Sequence, residues 1–83
     1  MRLPRDLSGE DLAHRLSIFG YRITRQTGSH LQLTTQDRGE HHITIPRHSP
    51  LRVGTLAAIL ADVAAHFEMT RAQVADRLFD FRG

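Results

Sequence analysis

The chain has 83 residues, with 11 basic residues against 9 acidic ones, six histidines and no cysteine. That length allows one small core with little surplus stability, and the lack of cysteine excludes both a disulfide framework and a thiolate site. No apolar run is long enough to span a bilayer and no signal-peptide pattern opens the sequence, so a cytoplasmic protein that does not engage membranes is expected.

Every basic residue is arginine and Tyr21 is the sole tyrosine. The sequence pI of about 10.4 therefore reflects a shortage of groups that titrate above neutrality more than a large positive charge. The distribution is more telling than the total. Arg22, Arg25, Arg38, Arg47 and Arg52 face only Asp37 and Glu40 in the middle third of the chain, which also holds four of the histidines. An anionic partner is steered there.

In chain order, Ser8 and Asp11 form a capping-box pattern, with Leu7 placed to staple onto Leu12. Leu12, Leu16 and Phe19 follow at helical spacing, and Gly20 closes the first helix. YRITRQ (21–26), HLQLTT (30–35) and HHITIP (41–46) read as strands joined by the turns TGS and QDRGE. Short turns make an antiparallel meander the economical arrangement. Beyond the RHSP loop, Leu56, Ile59, Leu60, Val63 and Phe67 fall on one helical stripe, with Thr55 as the expected cap. Thr70 and Gln73 suggest a second capping box before a short helix over 70–81, with Val74, Leu78 and Phe81 inward. The expected fold is α+β, in the order α-β-β-β-α plus a short C-terminal helix, as one domain over 1–83. Both main helices should cover one sheet face. The other, polar face should carry Arg22, Thr24, Gln26, His30, Gln32, Thr34, His42 and Thr44.

Three stretches in order, the GSH of residues 28–30, the Pro46-Arg47-His48 segment and GTLAAIL (54–60), together with the opening LPRDLSGEDL and the run LSIFGYRITRQTGSH, resemble the HicA toxin family over about residues 4–65. The resemblance implies a fold like the double-stranded-RNA-binding domain. It also implies metal-independent cleavage of mRNA by a toxin of a toxin–antitoxin pair, and inhibition by a HicB-type antitoxin protein. The family's catalytic histidine falls on His30. The tail beyond about Ala65 is longer than the usual family ending, and the strand face is less basic than the family leads one to expect.

The residues support that chemistry independently of the resemblance. RNA carries its own nucleophile, the 2′-hydroxyl, so a protein need only remove its proton, align the chain and stabilise charge on the phosphoryl oxygens. Histidine suits the first task, and His30 should point to solvent because Leu31 and Leu33 point inward. Arginine suits the last, making Arg25 and Arg47 candidate phosphate contacts, although solvated charge is the default for each. Gly28 lets backbone approach a phosphate, with its own amide or that of Ser29 as donor. His48 either lies near phosphate or only caps a turn. His41 and His42 are adjacent in a strand and so diverge, which argues against zinc, and no cofactor is implied. His14 and His66 read as helix-surface residues. Two functions fit: a ribonuclease toxin working through His30, and a non-catalytic RNA-binding module on the same fold. DNA, which lacks the 2′-hydroxyl, is not an expected substrate.

Overall fold

The computed structural model describes residues 3–79. Helix α1 spans Gly9–Arg15 and runs into a single 3-10 turn, Leu16–Phe19; β1 (Arg22–Gln26), β2 (His30–Thr35) and β3 (His41–Pro46) follow, then α2 (Val53–Phe67) and α3 (Arg71–Phe79). The expected α-β-β-β-α order with an added helix is present.

Reciprocal bonds between Ser8 and Asp11 start α1: the Asp11 amide donates to Ser8 Oγ at 3.0 Å and the Ser8 amide donates to Asp11 Oδ2 at 3.4 Å. Each satisfies a backbone donor that the first helical turn leaves without a partner. The sequence predicts one α-helix up to Gly20, but the last turn is tightened into 3-10 form. Gly20 then reverses the chain at φ 82°. The positive φ is what favours glycine here, and a β-carbon would in addition push the Asp37 carboxylate, 2.4 Å away, out of its place.

The sheet order is β1-β2-β3 with both pairings antiparallel. Register from His30↔Pro46 to Thr35↔His41 puts Leu31, Leu33, Ile43 and Ile45 on one face, all buried against Leu12, Leu16, Leu56, Leu60 and Val63. Each such side chain contributes about 1.5–3 kcal/mol through removal from water. The two main helices thus cover one face, as expected, and the opposite face stays in solvent.

β1 differs from its expected pattern. Its register with β2 slips between Ile23 and Arg25, so that Arg22 pairs with Thr34, Arg25 with Gln32 and Gln26 with Leu31. Residues paired across antiparallel strands share a face. The bulge therefore turns Arg25, not Gln26, onto the polar side. Thr24 remains there too, its hydroxyl 2.9 Å from that of Thr34.

Helix α2 also corrects the sequence reading. It begins at Val53 after an extended Arg52 that makes no side-chain cap, so Thr55 lies within the first turn. The Leu51 amide donates to the Leu7 carbonyl at 2.8 Å, which fixes the incoming chain close to the core and lets the helix start early. α2 ends at Glu68, with φ 56°. Thr70 and Gln73 then form the expected reciprocal cap, at 2.9 and 3.1 Å. α3 buries Val74, Ala75, Leu78 and Phe79, and Arg15 Nη1 donates to the Leu78 carbonyl at 2.9 Å. The inward placement expected of Phe81 lies outside the described residues. Among the described residues no single helix is long and apolar enough to cross a membrane.

Candidate catalytic site

Thr27 builds the turn that presents His30. Its amide donates to the His30 carbonyl at 2.9 Å, while its hydroxyl oxygen accepts from the His30 amide at 3.0 Å and the Ser29 amide at 3.3 Å. The turn is braced from behind by the segment after β3. The Arg47 amide donates to the Ser29 carbonyl at 2.8 Å, and Arg47 Nη1 donates to the Thr27 carbonyl at 2.8 Å. Arg47 also approaches Glu10 at 3.7 Å. The Gly9 amide donates to the His48 carbonyl at 2.9 Å, tying this loop to the start of α1. Gly9 is there because a β-carbon would fall 2.1 Å from the Pro46 carbonyl oxygen.

His30 is exposed at the first residue of β2. Its Nδ1 lies 2.9 Å from Ser29 Oγ, and its Nε2 makes no hydrogen bond among the described residues. With the proton on Nδ1 donated to Ser29 Oγ, Nε2 keeps a lone pair directed at solvent. That is the tautomer a general base needs.

The structure gathers most of the expected site residues around the turn before β2 and the segment after β3. Gly28 is exposed, outside the left-handed region, and a β-carbon on it would meet nothing within 4 Å; the fold itself does not require glycine here. The Ser29 hydroxyl bonds His30 and its amide is engaged by Thr27, while the Gly28 amide has no partner among the described residues. Arg25 lies one residue pair along from His30 on the polar face and forms no ion pair among the described residues. Arg47 is committed to bracing the turn, with only its remaining N–H groups available to a phosphate. The His48 side chain is exposed, two positions after Pro46, the cross-strand partner of His30. Thr27 and Gly9 were not singled out in the sequence. A threonine before GSH and a glycine in a helix's first turn look ordinary until the pairing of Ser29 with Arg47 is known.

Away from this site, His41 Nδ1 lies 2.7 Å from the Tyr21 hydroxyl and its Nε2 lies 3.2 Å from Asp62 Oδ1. Burial, then the charge of Asp62, raises the Tyr21 pKa. His66 is not a free surface residue: it stacks on His41 with centroids 4.5 Å apart, and its Nε2 bonds the Asp37 carbonyl at 2.9 Å. His42 faces the polar side, between Thr34 Oγ1 at 2.8 Å and Glu40 Oε2 at 2.9 Å. Bonds from Gln36 and His42 hold the Glu40 carboxyl below its usual range. No cluster of three or more His, Asp or Glu among the described residues is placed to hold a metal. A hollow of about 810 Å³ lies elsewhere, lined by Phe19, Phe67, Met69 and Arg77 among others.

Fold and site together define a small α-β-β-β-α protein that displays a braced histidine on an open polar sheet. The family model for the HicA toxin of bacterial toxin–antitoxin systems matches residues 9–64, and the chain belongs to that family. The match covers α1, the whole sheet and most of α2, and stops short of α3. Comparison with curated proteins and with solved structures gave no match.

Proposed function

We propose that the protein is an mRNA interferase, an endoribonuclease in which His30 activates the RNA 2′-hydroxyl without a metal. The observation that carries this reading is the fixed imidazole, held through Nδ1 by Ser29 with Nε2 directed at solvent. Nε2 takes the 2′-hydroxyl proton as that oxygen attacks the adjacent phosphorus. The bond to the 5′-oxygen breaks, leaving a 2′,3′-cyclic phosphate and a 5′-hydroxyl. The leaving oxygen needs a proton from the opposite side, for which the exposed His48 is the candidate. The Gly28 amide and the N–H groups that Arg47 has left over stabilise charge on the phosphoryl oxygens, and Arg25 holds the next phosphate along the strand. An mRNA substrate places the reaction in the cytoplasm, and a HicB-type antitoxin would silence it by covering His30.

The test is cleavage of labelled RNA by wild type and His30→Ala, with and without EDTA. Loss of general-base catalysis should slow cleavage by about a hundredfold or more, with melting unchanged because an exposed residue contributes little packing. DNA of the same sequence should survive and EDTA should not protect RNA. Equal cleavage by a folded variant would overturn the role of His30. RNA binding without cleavage by wild type would favour the binding-module reading.

A further inference from the structure

The polar face extends well beyond His30. Its cross-strand register forms three rows: His30 beside Pro46, then Arg25–Gln32–Thr44, then Arg22–Thr34–His42. At about 3.3 Å per residue along β2, the second row lies about 7 Å from His30 and the third about 13 Å. Each row therefore advances by a distance on the scale of one step of an extended polynucleotide backbone.

The third row opens into a cavity of about 330 Å³ lined by Gly20, Arg22, Thr24, Thr34, Gln36 and Asp37. Among the described residues Arg22, like Arg25, has no ion pair. His42 is already paired with Glu40, so the row carries one uncommitted cation and not a cluster. The same cavity is lined by two threonine hydroxyls bonded to each other, by Gln36, whose Nε2 donates to Glu40 and leaves its carbonyl oxygen free, and by the Asp37 carboxylate. A bare anion would be repelled by Asp37. A nucleotide uses both kinds of group, with its phosphate on Arg22 and its base donors towards Asp37 and Gln36.

We propose that this cavity is a nucleotide subsite for single-stranded RNA, occupied two steps from the phosphate at His30, with Arg25 holding the phosphate between. The inference rests on the ribonuclease reading for what happens at His30, but the binding it describes is measurable without cleavage. A duplex cannot lay one backbone along a single strand row while presenting its base edges to the cavity, because those edges are paired.

The experiment measures binding of fluorescent 2′-O-methyl RNA oligonucleotides, which offer no 2′-hydroxyl to activate, across lengths of about two to eight nucleotides. Affinity of wild type should rise until the strand reaches the Arg22 subsite and then level off. Arg22→Gln should weaken binding of the longer oligonucleotides and leave the shortest unaffected, and should lower the slope of log affinity against log salt by about 0.7. Annealing a complementary strand should abolish the length-dependent gain. Circular dichroism should show an unchanged fold, since Arg22 is exposed. Unchanged affinity and salt slope in Arg22→Gln at every length would overturn the subsite, even if wild type cleaves RNA. Undiminished binding of the duplex would also overturn it. An Arg22-dependent plateau in a protein that never cleaves RNA would support the subsite and sink the ribonuclease reading.

Discussion

Three glycines separate what the fold needs from what the site needs. Gly20 is held at φ 82°, and a β-carbon there would displace the Asp37 carboxylate, so Gly20→Ala should cost roughly 1–3 kcal/mol in denaturant unfolding. Gly28 has neither constraint. Gly28→Ala should raise stability slightly, by up to about 1 kcal/mol through the unfolded chain, while lowering RNA cleavage by placing a methyl where phosphate must approach. A variant equally active and equally stable would remove Gly28 from the site. Gly9, packed on the Pro46 carbonyl, should behave like Gly20. Tyr21 gives a separate test at high pH. Its pKa is raised above the ordinary 10.0, so the unfolded chain ionises first. Its stabilising contribution is complete below pH 10 and is lost as pH rises through the folded value. With no lysine or cysteine in the chain, tyrosinate absorbance should appear together with unfolding and not before it. A gradual titration near pH 10 in the folded protein would contradict the burial of this hydroxyl.

At the level of elements, α1, β2 and β3 were legible because each carries a local pattern: the Ser8–Asp11 box and strict alternation at Leu31, Leu33, Ile43 and Ile45. The exchange of Gln26 for Arg25 on the polar face was not legible, since a bulge is a property of two strands and leaves no mark on one. The stacking of His66 on His41 was hidden for the same reason: 25 positions apart in sequence, they meet only when α2 crosses the start of β3. His30 could be placed outward from alternation alone, but the brace formed by Thr27 and Arg47 could not. α3 lies beyond the family match, yet it buries four side chains and is bonded to Arg15. Leu78→Ala should therefore cost about 2–5 kcal/mol, measured by denaturant unfolding. A cost near zero would show α3 to be an appendage.

On the scale of the whole molecule, the two main helices close one side of the sheet and leave His30, Arg25 and Arg22 on the other. A protein antitoxin that silences such a toxin does so most directly by covering that side with acidic groups. Its association should slow as ionic strength rises, because steering by an arginine field is screened by salt. Rapid-mixing measurements of the on-rate against salt check this, and a rate indifferent to salt would indicate docking elsewhere. The bulge in β1 has a further consequence for a protein of this shape. A three-stranded sheet has two free borders, and a straight, apolar border invites the same border of another copy to extend it into a growing ribbon. Here the kink at Thr24 interrupts the ladder of β1, and the flanking arginines repel their counterparts on an approaching copy. Straightening that border by deleting Thr24 should restore an uninterrupted ladder and lower the concentration at which turbidity first appears, relative to the parent chain.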